Sequence, residues 1–142
     1  MLYDELKKDN LYALKEHNNA KRVALGIVIT RATLLRAEKK AEEKELTDDD
    51  VLQIIQKVIK EINDEAEAFK NANRMEQYEE LLKQKQSLEG YLPKMMSKEE
   101  ILAEINKLED KSMPSIMKHF KTNFVGKVNM SDVSQIAREM NK

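Results

Sequence analysis

Between Val51 and Phe69 large apolar residues recur at Val51, Ile54, Ile55, Val58, Ile59, Ile62 and Phe69, with Ala66 in register and Leu52 outside the pattern. That spacing gathers side chains onto one broad face of an α-helix and cannot serve a strand, which needs alternation every second residue. Each large side chain fully buried there contributes roughly 1.5 to 3 kcal/mol. The segment is therefore predicted to be the core helix of a helical fold. Thr47 with Asp50 three residues later opens it as a capping box, and Leu46 can staple to Val51.

The flanking segments read as helices too. A first helix is expected from about Leu2 to Glu16, with Leu2, Leu6, Ala13 and Leu14 as a thin apolar stripe and His17-Asn18-Asn19 closing it. A second, from about Ala20 to Glu43, carries Val23, Ile27, Leu34 and Leu35 inward and ends in a charged tail. Asn73 with Glu76 is expected to cap a fourth, whose Tyr78, Leu81, Leu82 and Leu88 face the core before Gly90.

The run Leu88-Glu-Gly-Tyr-Leu-Pro93 then stops one helical lobe, and Ser97 with Glu100 starts another. Proline lacks the N–H that a helix interior needs, and the Ser/Glu pair is a second capping box. Two lobes follow, residues 1–93 and 94–142. In the second, a helix runs from Ser97 through Ile105 to Leu108, with Met96 and Ile101 as staple. A short one begins near Pro114, which a first turn tolerates, and buries Ile116, Met117 and Phe120. Gly126 supplies a permissive turn, and Asn129 with Asp132 caps the last helix, where Ile136, Ala137 and Met140 face inward. With three glycines and two prolines in 142 residues, the fold class is all-α: a larger N-terminal lobe followed by a small three-helix lobe.

Several function classes are excluded early. Zero cysteines leave no disulfide framework, no thiolate nucleophile and no cysteine-based zinc site. His17 and His119 are far apart in sequence and neither sits in a metal-ligand spacing. Asp48-Asp49-Asp50 suits a helix N-terminus and lacks the alternation and glycine of a calcium loop. No glycine-rich phosphate loop and no nucleophile elbow are visible. No catalytic residue, metal site or cofactor is expected. The longest apolar stretch, Val23 to Ile29, is far short of the roughly 20 residues a membrane span requires, and the N-terminus does not resemble a signal peptide. The expectation is a cytoplasmic protein without membrane contact.

The net charge of −1 conceals an asymmetry. Residues 1–110 carry 19 Lys+Arg against 24 Asp+Glu, whereas residues 111–142 carry 6 against 2. Lys118 and Lys121 lie three apart on one helix, Lys127 is in the next turn and Arg138 is on the last helix. These four are the candidate nucleic-acid-binding residues, suited to touching phosphates without reading sequence. An ordinary solvated face is the competing interpretation. Six of the eight methionines, Met95, Met96, Met113, Met117, Met130 and Met140, also fall late. They fill a small core or, alternatively, offer adaptable contact to a protein partner.

In order along the chain, Glu45-Leu46-Thr47-Asp48-Asp49-Asp50-Val51-Leu52, Tyr91-Leu92-Pro93 with Ser97-Lys98-Glu99-Glu100, Met113 to Lys118, and Gly126-Lys127 resemble the YqeY-like family. The resemblance spans nearly the whole chain. That family shares its helical architecture with the C-terminal tail of the B subunit of the glutamine-dependent aspartyl/glutamyl-tRNA amidotransferase. The resemblance implies a two-lobed all-α protein whose C-terminal lobe, like that tail, helps hold tRNA. It also brings a label of carbon-nitrogen ligase activity with glutamine as amide donor, although the larger enzyme's ammonia-generating and kinase-like machinery lies in parts this chain does not contain. Lys118 and Lys127 match basic positions of the family, while Lys121 and Arg138 rest on charge and spacing. The chain departs from the pattern at Pro114 and Gly26 and is several residues shorter between Ile105 and Met113. The expectation is a non-catalytic adaptor contacting tRNA or a tRNA-handling protein through its C-terminal lobe. The alternative is a protein-protein interaction module of an enzyme complex that binds no RNA.

Overall fold

A computed structural model describes residues 1–141, and among them every regular element is an α-helix. The contacts divide the chain into two compact units, Met1–Tyr91 and Leu92–Lys142.

The first unit holds four helices, α1 (Leu2–Lys15), α2 (Asn19–Ala41), α3 (Asp48–Asn71) and α4 (Met75–Glu89). Helix α3 buries Val51, Ile55, Val58, Ile62 and Ala66, the face its periodicity defines. Its capping box is complete: the Asp50 N–H donates to Thr47 Oγ1 at 3.1 Å and the Thr47 N–H to Asp50 Oδ2 at 2.9 Å. Lys39 of α2 also donates to Asp50, so the cap joins two helices. Burial alone would raise the Asp50 pKa, but the Lys39 ammonium and the Thr47 donors outweigh it and hold the carboxyl below its ordinary value.

Helix α2 differs from its expected packing. Val23 and Leu34 are 50% and 62% exposed, and the buried face is Ala20, Ala24, Leu25, Val28 and Ala32. This helix packs on α1, α3 and α4 together. Small alanines let backbones approach from several sides, where larger side chains would hold them apart. On α1, likewise, Leu14 is 45% exposed, and Tyr3 takes the core position beside Leu6 and Ala13.

Three of the four turns expected to be capped by side chains are so capped, and Asn73 is the exception. It adopts φ 58° and ends α3, with its N–H on the Lys70 carbonyl and the Arg74 N–H on that of Phe69. This is the Schellman arrangement, in which a left-handed residue returns two N–H groups to the preceding turn. Asn73 therefore terminates one helix rather than starting the next, and α4 begins at Arg74 without a side-chain cap. His17 and Glu43 end α1 and α2 in the same way, with φ of 57° and 60°.

The second unit holds α5 (Lys98–Asn106), α6 (Met113–Asn123) and α7 (Met130–Met140). Ile101, Ile105, Ile116, Phe120, Val128, Val133, Ile136 and Ala137 form its core. Met96, Met113, Met117, Met130 and Met140 pack against that core, leaving Met95, 37% exposed, as the outlying member of the late six. Ser97 and Glu100 complete a capping box on α5. Asn129 caps α7 through the Ser131 N–H. Among the described residues no helix is long and apolar enough to cross a membrane.

Candidate nucleic-acid interface

Every residue expected at a phosphate-binding surface lies in the second unit, and its helix packing decides their exposure. On α6, Ile116 and Phe120 are buried one turn apart. At about 100° per residue, Lys118 and Lys121 are carried away from that inward line. Both are exposed. Lys127 stands in the turn after α6, next to Gly126, whose φ of 76° lets the chain reverse. Its N–H donates to the Phe124 carbonyl at 3.0 Å, its carbonyl accepts the Met96 N–H at 2.8 Å, and its side chain is exposed.

Arg138 is exposed in the last turn of α7, the helix packed on α6, where a cation complements the helix dipole. Its guanidinium donates to Ser134 Oγ at 3.1 Å. The structure thus puts Lys118 and Lys121 on the outward side of one helix, Lys127 in the following turn and Arg138 on the neighbouring helix.

Three of the seven carboxylates of the same unit, Glu100, Glu104 and Asp110, are used internally. Glu100 belongs to the α5 capping box. Glu104 on α5 lies 3.1 Å from His119 Nε2 and 3.6 Å from the Lys107 ammonium. Asp110 accepts from the Ser115 hydroxyl at 2.6 Å and the Ser112 N–H at 3.0 Å. The Ser115 bond, followed by those from Ser112, holds its carboxyl below the ordinary value. By contrast, among the described residues Lys118, Lys121, Lys127 and Arg138 form no ion pair.

His119, between the two α6 lysines, is a structural group. Asn123 Nδ2 donates to its Nδ1 at 3.2 Å, which leaves the proton on Nε2 to donate to Glu104. Its ring also stands edge-on to Phe120, with centroids 5.4 Å apart. Sequence reasoning missed this link because Glu104 and His119 lie on different helices, and no periodicity connects them. Among the described residues no group of three or more His, Asp or Glu is placed to hold a metal ion.

Among the described residues the chain is all-helical and divides into two compact units, the second a small three-helix unit with four exposed basic side chains. The family model for YqeY-like protein matches residues 3–140, and the chain belongs to that family. No curated protein matches the sequence.

Proposed function

We propose that this protein is a non-catalytic, tRNA-associated adaptor whose second unit docks on tRNA through Lys118, Lys121, Lys127 and Arg138. The observation that carries this reading is the exposure of four cations on that unit, none of which forms an ion pair among the described residues. Of the nearby carboxylates, Glu100, Glu104 and Asp110 are bound into a helix cap, an interhelix pair and a turn, which keeps these three from neutralising the exposed cations. Such cations release counterions when they meet phosphates, a favourable term that requires no base recognition. The resemblance of this unit to the amidotransferase tail supports tRNA as the polyanion. The association with glutamine-dependent carbon-nitrogen ligation is then that of an accessory module, with the chemistry supplied by a partner enzyme. The packing of five late methionines against the core supports an RNA contact over one made through methionine side chains.

Filter binding of bulk tRNA at a series of salt concentrations tests the proposal. Four phosphate contacts give a log–log salt slope of about −3 to −4. The double variant Lys118→Glu, Lys121→Glu loses binding while keeping its helical circular dichroism. Unchanged affinity in that variant overturns the assignment, and glutaminase activity of the pure chain overturns the non-catalytic reading.

A further inference from the structure

One stretch of the first unit is strongly acidic. Residues 61–80, the end of α3 and the start of α4, carry seven carboxylates against Lys70 and Arg74, and of the seven Glu61 is paired with Arg31. Glu76, Glu79 and Glu80 of this stretch line an open groove of about 540 Å³ together with Phe69, Leu81 and a single cation, Lys83. Leu81 is buried beneath the groove, and the partly buried Phe69 gives it apolar surface beside its acids. Among the described residues none of the three glutamates forms an ion pair. Glu76 precedes Glu79 and Glu80 by three and four positions, the spacings at which like charges on a helix repel.

We infer that this groove is a docking site for a cationic segment of a partner protein, one that carries lysine or arginine around a large apolar anchor. Charge complementarity selects the occupant. A nucleic acid is repelled by three unpaired carboxylates, whereas a basic peptide relieves their mutual repulsion and places its charges along the acidic wall. The apolar surface of Phe69 adds what a purely polar partner does not use, contact for an aliphatic or aromatic side chain withdrawn from water. The volume lies within the range of pockets that enclose small ligands or anchor side chains. The site belongs to the first unit and stands independently of the phosphate contacts assigned to the second.

Fluorescence anisotropy on the full chain tests it with three synthetic peptides: lysines and arginines spaced around two leucines, the same peptide with both leucines changed to alanine, and a glutamate version of the first. The leucine peptide is expected to bind with an affinity that falls as salt rises, the alanine peptide more weakly, and the glutamate peptide not at all. The triple variant Glu76→Gln, Glu79→Gln, Glu80→Gln weakens the leucine peptide by about tenfold or more. A control with equal charge removed from side chains that do not line the groove, Asp4→Asn, Glu38→Gln, Asp49→Asn, stays within about twofold. The glutamines keep helix propensity, and circular dichroism confirms folding. Any of four results overturns the inference: no binding of the leucine peptide, equal binding of the alanine peptide, unchanged affinity in the groove variant, or an equal loss in the control.

Discussion

The Tyr91 hydroxyl donates a 2.6 Å hydrogen bond to Asp9 Oδ2, tying the last residue of the first unit to its first helix across 82 sequence positions. The chain leaves the four-helix unit at Leu92-Pro93, so this bond fixes the point of departure. Burial, and then the Asp9 carboxylate, push the Tyr91 pKa well above that of a free phenol.

A raised pKa means that the folded state holds the phenolic proton more tightly than the unfolded chain. The resulting stability is fully present below the unfolded value of about 10 and is lost as pH rises through the folded one. Tyr91→Phe is expected to cost about 1 kcal/mol near neutrality and to abolish this part of the alkaline dependence. Urea unfolding of both forms from neutral to strongly alkaline pH checks it. Parallel curves for the two proteins would count against the Asp9 bond.

The Thr47–Asp50 box has the opposite pH sign. Because the folded carboxyl lies below its ordinary value, its contribution is present above about pH 4 and is lost as pH falls through the folded value. Thr47→Ala is expected to destabilise the first unit by about 1 kcal/mol. Asp50→Asn should destabilise at neutral pH and do so less in acid, as thermal unfolding at the two pH values would reveal.

The three left-handed helix ends should respond unequally to glycine. Glu43 and His17 hold φ near 60° at the steric cost of a Cβ, whereas asparagine tolerates that conformation better. Glu43→Gly and His17→Gly are expected to stabilise the protein by about 0.5 to 1 kcal/mol each and Asn73→Gly by less. A ranking with Asn73→Gly first would contradict the strain argument.

Phe120 is fully buried in the second unit and touches both His119 and Phe124. Truncating it to alanine removes about 3 to 5 kcal/mol, a large share for so small a core. Hydrogen exchange should show α5, α6 and α7 losing protection together while the α3 core amides keep theirs. Loss confined to α6 would mean that the three helices do not share one core.

The elements most legible in the sequence were those whose local chemistry and packing agree. The α3 stripe and the Thr47 and Ser97 boxes need only neighbours within one or two turns, and the structure has them as expected. Helix α2 departs from its apolar spacing because Val23 and Leu34, large and helically spaced, face solvent, whereas packing against three helices buries the alanines. Asn73 could equally cap or terminate a helix, and the tight α3–α4 turn decided the matter. The exposure of the four basic residues followed from the apolar positions around them. The engagement of nearby carboxylates did not, because Glu104–His119 depends on contact between helices.

The Met96–Lys127 backbone bond leaves the Lys127 side chain out of the scaffold. The carbonyl of Lys127 anchors the segment entering α5, and its side chain takes no part in that contact. The charge at this position can therefore be exchanged or reversed while the strap that holds the entry to α5 keeps its geometry.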